Sequence, residues 1–277
     1  MKKVLTLLLV GVLALTFSAC GKTDTNQTSN QPAQTESGEI TIAGSTSVQP
    51  ISEALAEAFM VKYPNIKVSV QGGGSSAGIK AAQEATADIG ASSRELKSEE
   101  NGLTETVICK DGIAIAVNSA NAVKDLSIEQ IMKIYSGAIT NWKDVGGADQ
   151  TINVVTREDG SGTRGAFEEL VMGKDNPISD KALVQNSTGA VKASVASDPN
   201  AIGYISLASL DETVKAVTVE GVQVSADNIV NGTYKISRPF LYLTKEAPAG
   251  AVKTYMDYVM SAEGQSIIEK EGLVLVK

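Results

Sequence analysis

The 277-residue chain contains no histidine. That absence removes Ser-His-Asp and Cys-His catalysis, histidine general bases and histidine-ligated zinc together. Cysteine is almost absent as well, with only Cys20 and Cys109. If Cys20 is acylated, no intramolecular disulfide can form even in an oxidising compartment, and Cys109 reads as a small core residue. Basic residues are in deficit, 24 against 32 acidic, for a formal net charge of −8. Loss of Lys2 and Lys3 with a leader would make it two charges more negative. A chain this acidic is a poor nucleic-acid binder. Long apolar runs are lacking too, apart from Val4 to Phe17, which is too short to span a bilayer comfortably.

That one run has the form of an export signal. Lys2 and Lys3 precede it, and Ser18-Ala19-Cys20 closes it with two small residues before a cysteine. The ending resembles the lipobox of bacterial lipoproteins, with Phe17 where leucine is more usual. The expectation is a signal peptide over 1–19, a lipidated Cys20 and a flexible Thr/Ser/Asn/Gln-rich tether to residue 38. The alternative is an ordinary signal peptide whose cysteine falls there by chance. A lipid-anchored domain needs such a tether to stand off the membrane. Residues 39–277 remain for the folded part, enough for one large or two medium α/β domains.

Within that part a unit recurs: strand, Ser/Gly loop, helix. Glu39–Ala43 reads as a strand that ends in Gly44-Ser45-Thr46-Ser47, and Ile51, Leu55, Ala58 and Phe59 then form a helical stripe with Pro50 in the first turn. Ile66–Val70 alternates as a strand and runs into Gly72-Gly73-Gly74-Ser75-Ser76 before a helix near Ala77. Ala87–Ala91 is a third strand, ending at Ser92-Ser93-Arg94. Further strands are expected over Ile113–Asn118, Ala201–Ser206, Val214–Val219 and Tyr234–Leu243, and helices over Ser127–Tyr135, Val191–Ala196 and Ala251–Glu271. Repetition of this unit predicts a parallel sheet, with ligands gathering at the carboxyl ends of its strands.

The most informative loop is Arg157-Glu158-Asp159-Gly160-Ser161-Gly162-Thr163-Arg164, between the β-rich Ile152–Thr156 and the helical Ala166–Val171. Its glycines let backbone approach a ligand, Ser161 and Thr163 bring hydroxyls, and the following helix points free N–H groups at the same spot. Arg157 adds a planar fork for an oxyanion. Asp159 is either a turn residue or the ion-pair partner that fixes Arg157, and Arg164 is placed to pair with Glu168 one turn later. Taken singly, Ser45-Thr46-Ser47 and Ser75-Ser76 are helix caps and Ser92-Ser93-Arg94 is a turn. Together with Arg157 they read as a cradle for a buried dianion, which needs many donors and few countercharges. Gly72-Gly73-Gly74-Ser75-Ser76-Ala77 fits the dinucleotide pattern G-x-G-x-x-A only loosely: no acidic residue ends a strand where a ribose would need it. The loop is not a Walker A either, because Lys80 does not follow the last glycine.

At this point the chain resembles the phosphate-binding receptors of Pst-type phosphate ABC transporters. The resemblance covers about 39–277. It rests on Ala43-Gly44-Ser45-Thr46-Ser47, Gly73-Gly74-Ser75-Ser76-Ala77-Gly78, Asp88-Ile89-Gly90-Ala91-Ser92-Ser93-Arg94 and the Arg157 loop. Ile134-Tyr135-Ser136-Gly137, Thr140-Asn141-Trp142 and Ala201-Ile202-Gly203-Tyr204-Ile205-Ser206 add to it. The resemblance implies an α/β, two-lobed periplasmic-binding-protein-like fold of type II with the ligand cleft between the lobes. Lobe one would be 39–111 plus 235–277, and lobe two 112–234. It implies phosphate contacts at Thr46, Ser47, Ser75, Ser93, Arg157, Ser161, Gly162 and Thr163, with no catalytic residue, metal or cofactor. The implied partners are inorganic phosphate, the permease subunits and ATPase of the transporter, and the membrane through the lipid anchor. One departure stands out: some members carry an aspartate at the position of Ser93, where it accepts the proton of monohydrogen phosphate. The alternatives are a binding protein for another tetrahedral oxyanion, sulfate or molybdate, and a secreted phosphoryl-transfer enzyme.

Overall fold

The computed structural model describes residues 37–276. The expected signal peptide, Cys20 and nearly all of the tether lie outside the described residues. The strands are β1 (Gly38–Gly44), β2 (Ile66–Gly72), β3 (Ile89–Ser92), β4 (Thr104–Asn118), β5 (Asp125–Leu126), β6 (Asn153–Arg157), β7 (Leu183–Gln185), β8 (Ala201–Ser206), β9 (Val214–Ala216), β10 (Thr218–Val219), β11 (Ser237–Thr244) and β12 (Val274–Leu275). The helices are α1 (Gln49–Lys62), α2 (Ser75–Glu84), α3 (Ile128–Tyr135), α4 (Gly162–Phe167), α5 (Thr188–Ser197), α6 (Ala226–Val230), α7 (Gly250–Val259) and α8 (Ala262–Lys270).

The strand–loop–helix repeats do build parallel pairs: β1 with β2 and β3, and β6 with β7 and β8. The sheet as a whole is mixed, because β11 runs antiparallel to β3 and β4, and β8 antiparallel to β4. Its strand order is β2-β1-β3-β11-β4-β8-β6-β7. The 15-residue β4 is its axle. The first half of β4 pairs with β11 up to Gly112, and its second half pairs with β8 and β9 from Ile113 onward.

Two apolar cores follow this change of partner. One gathers Ile40, Ile42, Leu55, Phe59, Ile66, Ile89, Ile108, Cys109, Phe240, Tyr242 and Tyr255. The other gathers Ile113, Ile115, Val117, Ile131, Tyr135, Trp142, Val155, Phe167, Val191, Ile202, Tyr204 and Ile236. Cys109 is fully buried as a small apolar side chain, and burial pushes its thiol well above its usual value.

Several elements depart from their expected spans. β4 starts at Thr104, nine residues before the expected Ile113: pairing with β11 makes its first half a strand, although Glu105 and Lys110 interrupt the apolar pattern there. The expected single helix over Ala251–Glu271 is two, because Ser261 caps α8 by accepting from Gly264 N (3.3 Å). Val214–Val219 also divides, with β9 on β4 and β10 on β5. The helix after the Arg157 loop begins at Gly162 rather than Ala166, so the glycine loop is itself the first helical turn.

Candidate functional site

Five loops leave the carboxyl ends of parallel strands and meet. Residues 45–48 follow β1, 73–74 follow β2, 93–94 follow β3, 158–161 follow β6 and 186–187 follow β7. The first three lie on one side of the junction and the last two on the other, at the place an open α/β sheet offers a ligand. Backbone joins the two sides directly: Ser76 N donates to Gly160 O (3.0 Å).

Hydroxyls cross the same gap. Ser47 Oγ lies 2.8 Å from Thr163 Oγ1 and 2.8 Å from Thr188 Oγ1. Thr46 Oγ1 lies 3.2 Å from Thr188 Oγ1 and accepts from Thr188 N (3.1 Å). Arg157 Nη1 donates to Thr188 Oγ1 (3.2 Å), which brings the guanidinium into the cluster. A second hydroxyl group adjoins it. Ser45 Oγ donates to Ser93 Oγ (2.8 Å), Ser75 Oγ lies 3.4 Å from Ser93 Oγ, and Ser93 N donates to Ser75 Oγ (3.0 Å). Gly162 joins the groups: a Cβ there would stand 2.2 Å from Ser75 Oγ and 2.7 Å from Ser93 Oγ. Ser45, Ser47, Ser75, Ser93, Arg157, Ser161, Thr163 and Thr188 are all buried, and Thr46 is half-buried.

Ser161 and Arg157 are held from behind. Ser161 caps α4 by accepting from Arg164 N (3.2 Å), which leaves its hydroxyl proton free to donate. Arg157 N donates to Tyr204 Oη (3.2 Å), which also lies 2.7 Å from Thr156 Oγ1. Tyr204 stacks on Phe167 at 4.2 Å between ring centroids, and Tyr135 packs against both. Burial pushes the Tyr204 phenol up to about 12, so it stays a neutral hydroxyl. Tyr135, Phe167 and Tyr204 therefore form the packed wall behind the arginine loop, while Trp142 joins the same core from the other end of β8, where its Nε1 donates to Asn200 O (3.0 Å).

The structure corrects the reading of Asp159. Glu158, not Asp159, forks Arg157: Nε donates to Oε2 (2.8 Å) and Nη2 to Oε1 (2.7 Å). Asp159 lies 2.6 Å from Arg164 with its side chain almost fully exposed, because the turn at Gly160 throws it outward while the longer Glu158 arm folds back. Arg164 does pair with Glu168, at 2.8 Å. Thr46, Ser47, Ser75, Ser93, Arg157, Gly162 and Thr163 are brought together, with Ser161 in the same loop. Thr188 and the role of Glu158 were missed, and Ser45 was read as part of the cradle but not named among the contacts. Thr188 had a legible signal, since Ser187-Thr188-Gly189 also follows a short strand and opens a helix. Among the described residues no group of three or more His, Cys, Asp or Glu is placed to hold a metal ion. Chemically the site offers one guanidinium, many neutral donors and backbone N–H groups, with its nearest carboxylate tied to the guanidinium: it can enclose an oxyanion.

Comparison with known proteins settles the family. Residues 29–263 match the PBP superfamily domain. The chain belongs to that superfamily. A phosphate-binding protein PstS of Bacillus subtilis is 34% identical over 99% of this chain and 94% of its own. A putative phosphate ABC transporter substrate-binding protein from Clostridium perfringens, solved with bound phosphate, is 47% identical. It covers 86% of this chain and 100% of its own, with a TM-score of 0.84. An ABC-type phosphate transport receptor from Vibrio cholerae is 43% identical over 86% of this chain and 100% of its own, with a TM-score of 0.71. The superfamily's α/β, two-lobed architecture agrees with the two cores and with the loops meeting between them. No helix among the described residues is long and apolar enough to cross a membrane.

Proposed function

We propose that this protein is the extracytoplasmic receptor of a phosphate ABC transporter. It captures inorganic phosphate between its lobes and delivers it to the membrane permease, whose ATPase drives import. The observation that carries this reading is the convergence of the Arg157 guanidinium with the Ser47, Thr163 and Thr188 hydroxyls from both sides of the junction. The likeness to a receptor solved with bound phosphate supports it. Phosphate is held by Thr46, Ser47, Ser75, Ser93, Arg157, Ser161, Gly162 and Thr163, joined by Thr188. Lobe one is taken as 39–111 plus 235–277 and lobe two as 112–234, closing by a hinge motion. No bond of the ligand is made or broken.

Calorimetric titration with phosphate, sulfate and arsenate tests this. Phosphate should bind tightly to the wild type. Arg157→Ala should lose about 2–5 kcal/mol, because a desolvated charge-assisted contact is removed. Each ~1.4 kcal/mol is tenfold in affinity. A folded variant that binds within threefold of wild type removes Arg157 from the site. The second reading, receptor for another tetrahedral oxyanion, draws on the neutral Ser93 hydroxyl; sulfate binding as tight as phosphate would favour it.

The anchor belongs to the same proposal. Acylated Cys20 tethers the receptor to the outer face of the membrane through 21–38. Cys20→Ala should move the protein to the soluble fraction with phosphate affinity unchanged, and a variant that remains membrane-bound rules the anchor out.

A further inference from the structure

Arg94 is a buried cation that makes no hydrogen bond to the hydroxyl cluster, though it follows Ser93 in the chain. Its guanidinium is forked by Glu100: Nη1 donates to Oε2 (2.6 Å) and Nη2 to Oε1 (2.7 Å). Nη1 also donates to Glu95 O (2.9 Å) and Nη2 to Ser76 Oγ (3.2 Å). Glu100 accepts from Lys97 N as well (2.9 Å), and the Arg94 hydrogen bonds hold its carboxyl below the usual carboxylate value. The fork thus braces the loop after β3 within itself, and the bond to Ser76 ties that loop to the first turn of α2. Those are the segments that present Ser93 and Ser75.

The other face of Arg94 meets the opposite side. A Cβ on Gly165 would stand 3.2 Å from Arg94 Cδ and 3.8 Å from its Nε. Gly165 lies in α4, whose first turn carries Gly162 and Thr163. Beside it, Ser76, which accepts from Arg94, donates its own N–H to Gly160 O. The aliphatic stem of Arg94 is therefore the floor on which α4 lands, held level by a charge pair at its tip.

We infer that Arg94 is a positioning residue for the anion site: with Glu100 it fixes Ser93 and Ser75 on one side and receives α4, through Gly165, from the other. This inference rests on the phosphate-receptor reading above. Its effect falls on how tightly the two sides come together, so it acts on release of the ligand more than on capture.

The test is a double-mutant cycle at Arg94 and Gly165, read by calorimetry and stopped-flow phosphate kinetics, with the melting temperature of each variant measured without phosphate. Arg94→Ala should weaken phosphate by about tenfold or more, mainly through a faster off-rate. Gly165→Ala should weaken it several-fold on its own, although alanine favours the helix and does not threaten folding. In the Arg94→Ala background, Gly165→Ala should cost almost nothing, because its methyl then meets space. Arg94→Lys, which keeps the stem but cannot fork Glu100, should fall between wild type and alanine. If Arg94→Ala alone fails to fold because it strands Glu100, Arg94→Ala/Glu100→Ala, which removes both charges and the stem, carries the same comparison with Gly165→Ala. Binding within twofold of wild type in Arg94→Ala, an Arg94→Lys variant no better than Arg94→Ala, or a Gly165→Ala penalty undiminished in the alanine background, overturns the inference. A wild type that binds no phosphate would instead remove the reading on which it rests, and the inference with it.

Discussion

On the proposed function, the residue at position 93 would set which protons on the ligand can be satisfied. Ser93 Oγ accepts from Ser45 and neighbours Ser75, so a neutral hydroxyl stands where some phosphate receptors place an aspartate. A hydroxyl can donate or accept; a carboxylate only accepts, and it repels an anion with no proton to offer. Ser93→Asp should therefore raise the preference for phosphate over sulfate, and more so at lower pH, where dihydrogen phosphate has a further proton to donate. Competition titrations at two pH values measure it; equal selectivity in variant and wild type would mean that residue 93 does not face the ion. The same scale shows where reading residues from sequence stops. Ser, Thr and Arg at strand ends announced an anion site, because few other ligands need so many neutral donors with one guanidinium. The choice between Glu158 and Asp159 as the partner of Arg157 was not legible, since adjacent carboxylates differ only in reach and in which way a turn throws them.

Elements were legible where their pattern was local. β1, α1, β2, β3 and β8 fall within a few residues of their expected spans, each bounded by Gly, Ser or Pro that stops a regular run. β4 was only half legible: its first half is set by pairing with β11, a strand more than a hundred residues away, rather than by its own apolar alternation. The split between α7 and α8 depends on one serine that prefers capping to continuing. α4 is the instructive case. It is six residues long and starts inside the glycine loop, so Gly162 is at once a helical residue and a point of contact with the opposite side. Gly162→Ala should be tolerated by the helix, where alanine is favoured. It should not be tolerated by the junction, where the methyl would stand 2.2 Å from Ser75 Oγ. The expected outcome is a protein with near wild-type melting behaviour and at least a tenfold loss of phosphate affinity. Unchanged affinity would show that α2 and α4 do not approach this closely with ligand bound.

At the scale of the whole molecule the two halves are joined where β4 changes partners, and a buried charge pair sits at that joint. Arg238 of β11 stands in register with Asp111 of β4, and its Nε and Nη2 donate to Asp111 Oδ2 (3.3 and 3.0 Å). Asp111 Oδ1 accepts from Ser206 Oγ (2.8 Å) and Leu207 N (3.1 Å), at the end of β8. One carboxylate therefore binds β11 on one side and the β8 end on the other, while Arg238 Nη1 is buried without a protein partner. Removing half of such a pair is far worse than removing both, because a lone buried charge has no compensation. Asp111→Asn should cost about 3–5 kcal/mol in urea unfolding, since it strands Arg238. The apolar double variant Asp111→Leu/Arg238→Met should recover much of that. It should not recover all of it, because Leu207 N loses its acceptor, at a cost of about 1–3 kcal/mol. A double variant less stable than either single change would show that the pair stabilises the joint beyond what its desolvation costs. The joint would then be held by the ion pair rather than by the apolar packing around it.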